Sequence, residues 1–202
     1  MQPRVILALA TETDVASVWD QIKMFPMFAG GPLVKFGFFG REGASLVRPY
    51  ITTRWASNAA DLAALVDHGR AGCVCGCYVP IGDIFEHALR EPEPVAVIAV
   101  IGDGFYGDFD AAVAAVRQLR ARGTNVVFLS RQADAKLTRI AAAVGGTVLS
   151  LPPPAVERIA QRLPEGLEAV AHFAVGDAKA LEALGTEPAV LLLEQIKQRK
   201  RL

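Results

Sequence analysis

A chain of 202 residues, 52% hydrophobic and 21% charged, is long enough for one sizeable core and too apolar to remain disordered. Its 21 Lys and Arg balance its 21 Asp and Glu, which removes any global electrostatic drive toward nucleic acid or an anionic membrane. No run reaches the ~18 apolar residues of a membrane span. The opening Met1-Gln2-Pro3-Arg4 lacks the pattern of a secretory signal, so a cytoplasmic location is expected.

Residues 5–10 form a continuous apolar run, as in a strand covered on both faces. Thr11, Thr13 and Asp14 follow with loop and N-cap chemistry, and residues 15–28 read as a helix stopped by Gly30-Gly31-Pro32. Residues 33–39 and 45–51 are strand-like and joined by Gly40-Arg41-Glu42-Gly43, a hairpin pattern. Ser57 and Asn58 can cap a helix that carries Leu62, Leu65 and Val66 on one face, ahead of a Gly- and Cys-rich loop over 69–78. Ile81, Ile84, Phe85, Ala88 and Leu89 fall at helical spacing behind Pro80, which suits a first turn. Residues 95–101 are the most hydrophobic strand, broken by Gly102-Asp103-Gly104.

A helix over 108–122, a strand over 125–129, a helix over 133–144 and a short strand over 147–151 come next. Pro152-Pro153-Pro154 then leads into helices over 155–174 and 177–184, and Pro188 opens the last one. This strand–helix order predicts an α/β fold with an open, mainly parallel sheet and helices on both faces. One domain over 1–202 is expected, with 155–202 as a helical C-terminal extension packed on it.

Ligands of such sheets bind at the carboxyl ends of the strands, near the topological switch point. Three segments should converge there: Leu9 to Asp14, Cys77 to Gly82, and Gly102 to Phe105. Val5 to Thr13, Arg54-Trp55-Ala56, Pro80-Ile81-Gly82 running into Ala88-Leu89, and Ile101-Gly102-Asp103 appear in an order and spacing that carry a likeness. Ala178-Lys179-Ala180-Leu181 and Leu191-Leu192 extend it into the C-terminal part. With these anchors the chain resembles bacterial stand-alone von Willebrand factor A (VWA)-like domain proteins over roughly Arg4 to Gln195.

The resemblance implies a three-layer, Rossmann-like sheet with one antiparallel edge strand. It also implies a metal-ion-dependent adhesion site, where an Asp-x-Ser/Thr-x-Ser motif, a Thr and a second Asp hold a divalent ion, usually magnesium. Hard cations take such oxygen ligands and leave a position for a partner's carboxylate. Carried over by position, the leading Asp becomes Leu9, the hydroxyls become Thr11 and Thr13, the loop Thr becomes Val79, and the last Asp stays Asp103. The site therefore reads as degenerate, with no confident metal ligand set and no cofactor. Thr11, Thr13, Asp103, Val79 and Tyr78 remain as a face for a protein partner, and a non-enzymatic scaffold or adaptor role follows.

Asp103 has a second reading, as a cap or turn-fixing carboxylate between two glycines. Cys73-Val74-Cys75-Gly76-Cys77 places three soft ligands within five residues. Structural zinc wants four ligands at wider spacing, so small apolar packing cysteines are the simpler account. The alternative function is a small-molecule enzyme or redox protein that uses Asp103 and the Cys73–Cys77 loop in the same crevice. His87 is expected to have an ordinary surface role, His172 to pack, and Trp19 and Trp55 to be core residues or partner anchors.

Overall fold

The computed structural model describes residues 2–10, 16–40, 51–72, 79–102, 107–130, 135–144, 147–150 and 156–199. The described elements are β1 (Arg4–Ala10), α1 (Ala16–Lys23), β2 (Leu33–Phe39), α2 (Ala59–Gly72), α3 (Ile81–Arg90), β3 (Val97–Ile101), α4 (Phe109–Ala121), β4 (Asn125–Ser130), α5 (Ala135–Val144), β5 (Thr147–Ser150), α6 (Val156–Ala174), α7 (Ala178–Leu184) and α8 (Glu187–Arg199). The five strands form one parallel sheet in the order β2-β1-β3-β4-β5. The chain moves outward from β1 to β2 and then returns past β1 to β3. The order thus reverses at β1 and β3, and the crevice of the sheet opens at their carboxyl ends.

β1, β2 and β3 are buried along almost their whole length, because helices cover both faces of the sheet and strands of this kind are apolar on both sides. One helical layer is made by α3, α4 and α5, which touch in that order; the other is built around α6, which contacts α1, α7 and α8 and reaches β1, β3 and β4. In α6 the buried Leu163, Leu167, Val170 and Ala171 recur at helical spacing, and so aim one stripe at the sheet.

Caps fix several helix starts. The Asn58 side-chain oxygen accepts from the Asp61 N–H at 2.9 Å, and Asp108 accepts from the Asp110 and Ala111 N–H groups. α1 is shorter than its expected extent and stops at Lys23 rather than residue 28. Pro26 accounts for this: it has no N–H to donate and pushes the residue before it out of helical geometry.

No antiparallel strand occurs among the described residues. The outer edge of β2 carries isolated antiparallel bridges instead, Gly37 to Ile51 and Val34 to Ala56. The ladder is interrupted at Phe36, whose N–H donates to the Thr52 hydroxyl at 3.1 Å rather than to a strand carbonyl. Most of the expected hairpin arm, residues 45–50, lies outside the described residues.

Candidate binding face at the carboxyl ends of the strands

The site is framed by the ends of β1, β2 and β3, which are held in register. Leu9 pairs with Ile101 on one side and Phe38 on the other, and Ala10 pairs with Phe39. Beyond β2, Gly40 and Val79 exchange both backbone hydrogen bonds at 2.9 Å. This pins the chain entering α3 against the carboxyl end of β2. Beyond β3, Gly102 has φ of 137° and its N–H donates to the Leu129 carbonyl at 3.0 Å. A side chain at that φ would be strained, so the sharp break anticipated after residue 101 is a backbone requirement.

A second glycine closes the frame. Gly107 has φ of 124°, and a Cβ built on it would lie 2.7 Å from the Pro80 Cβ. The segment returning to α4 is thereby pressed against the segment opening α3. The ends flanking 11–15, 73–78 and 103–106 are therefore neighbours at the switch point of the sheet.

Of the sequence-derived site residues, Thr11, Thr13, Tyr78 and Asp103 lie outside the described residues, as do Cys73, Cys75 and Cys77. Val79 is inside them; its side chain is buried and its backbone is committed to Gly40. Leu9, which the resemblance puts where a leading carboxylate would be, is 0% exposed within the core. The described rim also holds Asp83, in the first turn of α3. Burial, with Glu86 close by, raises its carboxyl above the ordinary range. Its signal in the sequence is an acidic residue three positions after Pro80, in the first turn of a helix that opens at the switch point.

At its far end α3 meets a cluster that sequence reasoning did not assemble. The Lys35 Nζ of β2 lies 2.5 Å from Glu91 Oε1, and the His87 Nε2 lies 3.0 Å from the same oxygen but off the axis of a good hydrogen bond. Arg4 of β1 contacts Glu93 at 3.1 Å and approaches Glu91 at 4.0 Å. The Trp55 ring stacks beneath both cations, 4.9 Å from Lys35 and 5.1 Å from Arg4. The signal was a single lysine in the apolar run of β2, since a strand covered on both faces should contain a cation only if it is paired. His87 is thus half-buried on Glu91 rather than an ordinary surface residue. His172 stacks on Phe28 at 5.2 Å, as expected of a packing role, and Trp19 is 1% exposed in the core.

Burial, reinforced by Lys35, holds His87 below its ordinary 6.5 against the opposing pull of Glu91. Burial pushes the Glu91 carboxyl up, but Lys35, His87 and the Trp55 N–H outweigh it and hold the group below 4.5. In both cases the unfolded chain binds the proton more readily, so stability rises with pH across the gap. Folding stability should therefore fall as pH drops below about 6.5, and fall again below about 4.5. His87→Gln should remove the upper loss and keep the lower one, as read from urea midpoints over that range. An unchanged upper loss in the variant would assign it elsewhere.

The sequence matches no protein-family model and no curated protein. Solved structures are similar to the fold. The chain aligns with a von Willebrand factor type A protein from Catenulispora acidiphila at TM-score 0.59 and 15% identity over 87% of its length, spanning 43% of that protein. It aligns with the VWA domain of SpRpn10 at TM-score 0.52 and 11% identity, covering 81% of this chain and 95% of that domain. An aerotolerance-related membrane protein from Bacteroides fragilis gives TM-score 0.54 and 16% identity, with 82% and 98% covered. The parallel sheet order, the switch point at β1 and β3 and these likenesses agree: the chain has a VWA-like fold.

Proposed function

We propose that the chain is a non-enzymatic module that binds a protein partner at the carboxyl-end face through Thr11, Thr13, Tyr78 and Asp103, without a divalent ion; Val79, buried and bonded to Gly40, supports the face from beneath rather than touching the partner. The observation that carries the reading is the burial of Leu9. The position that would lead a metal site holds a side chain with no donor oxygen, wholly inside the core and paired on both sides. Val79 likewise offers no side-chain oxygen, and its backbone carbonyl is bonded to Gly40. Magnesium keeps several waters and relies on one or two carboxylates, and the loss of the leading carboxylate and of the loop hydroxyl leaves a single carboxylate with two neutral hydroxyls, a weak set for it. This donor set argues against the ion, and no step of the proposed function runs through it.

What supports a binding role is location. The β1/β3 switch point is where sheets of this topology present loops to ligands, and Gly102 and Gly107 hold the flanks of those loops in fixed positions. Among the described residues no helix is long and apolar enough to cross a membrane.

Isothermal titration with magnesium, manganese and calcium tests the metal-free reading. No saturable heat is expected at concentrations up to about 1 mM. Micromolar binding that disappears in Asp103→Ala would overturn it.

A further inference from the structure

We infer that the groove between α4 and α5 docks an acidic helical segment of a partner protein, at a surface separate from the carboxyl-end face. The groove is open to solvent and offers about 450 Å³. Its floor is Val113 and Ala114 of α4 with Ala142 and Ala143 of α5. Small side chains on both walls let a third helix approach closely, in the manner of helix-in-groove recognition.

The charges say which helix fits. Arg117 of α4 and Arg139 of α5 line the groove, and neither has a carboxylate partner among the described residues. The Arg139 guanidinium lies 4.7 Å from the centre of the Phe109 ring, which places it beside the first turn of α4. Arg117 follows Phe109 by eight residues, about 12 Å along the helix axis. Arg139 therefore meets α4 at Phe109, roughly two helical turns before the backbone position of Arg117 along the groove.

A docked helix would answer them with carboxylates at i and i+7 on one face, separated by small or aliphatic residues. Arginine suits the task because its planar fork takes a carboxylate through two hydrogen bonds. Asp110 also lines the groove, at the Arg139 end. Its charge repels a continuous polyanion and favours a partner with discrete carboxylates over nucleic acid.

The probe is a labelled alanine-rich peptide of about 20 residues, long enough to be helical, with glutamates at i and i+7. Controls are the same peptide with glutamines at those positions, and an oligothymidylate. Fluorescence anisotropy should show the glutamate peptide binding, with affinity falling as salt rises. Arg117→Glu combined with Arg139→Glu should weaken it by about tenfold or more. Arg120→Glu, on exposed α4 surface outside the groove, should change it far less, and circular dichroism should show all variants folded. Equal binding of the glutamine peptide, tighter binding of the oligothymidylate, or indifference to the double variant would each overturn the inference. So would a dimer of the chain itself that the double variant dissociates. None of these outcomes bears on the metal-free reading, which the ion titration decides alone.

Discussion

Replacing Glu91 with leucine should cost about 3–5 kcal/mol of folding stability, measured by urea denaturation at neutral pH. Lys35 is 5% exposed, and without Glu91 its ammonium keeps, among the described residues, only the face of Trp55. Removing one member of a buried pair leaves the other charge stripped of both water and partner. The double variant with Lys35→Met should recover most of the loss, because a buried pair exchanged for apolar groups of similar volume is often neutral. The double-mutant cycle then isolates the coupling between the two residues. A single variant that loses under about 1 kcal/mol would mean that the pair behaves like an exposed one.

Gly107→Ala should cost about 1–3 kcal/mol and lower the melting temperature. Two strains combine there. The φ of 124° disfavours any side chain, and the new methyl would lie 2.7 Å from the Pro80 Cβ, too close for either to remain in place. Gly123→Ala separates the two effects, since its φ is 85° but nothing lies within 4 Å of the added Cβ. The loss at Gly107 should exceed the loss at Gly123, and the excess measures how tightly the α4 entry is pressed on the α3 entry. Equal losses in the two variants would show that the contact with Pro80 carries no energy.

The sheet was legible in the sequence because its strands are uninterrupted apolar runs bounded by glycine, proline or caps. Residues 5–10, 33–39 and 125–129 match β1, β2 and β4 within a residue. β3 runs from Val97 rather than residue 95, although Ala96 just before it already donates to the Arg4 carbonyl of β1 and accepts from the Asn125 N–H of β4. The C-terminal helices were legible from the prolines that precede or open them, and the structure adds the ends of α7: Asp177 accepts from the Ala180 N–H and Gly185 is left-handed.

The candidate site was legible in another way. Topology gives where ligands should go, and Gly102 and Val79 are where that argument needs them. The ionic cluster was not legible, because its members stand at positions 4, 35, 55, 87, 91 and 93. No local pattern joins residues so far apart. They meet only after β1 and β2 pair and α3 lies across them. Lys35 alone carried a warning, and the warning named no partner.

The position of β1 has a consequence for how the chain reaches this state. Its pairing with β2 joins residues 29 apart, as Arg4 with Leu33, whereas its pairing with β3 joins Val5 with Val97, 92 apart. A ribosome therefore makes the most apolar stretch of the early chain, and one of its edges waits for some 90 residues more before its neighbour exists. Closing a loop that long is slow relative to local pairing. Until it closes, residues 5–10 expose a strand edge able to capture another nascent chain.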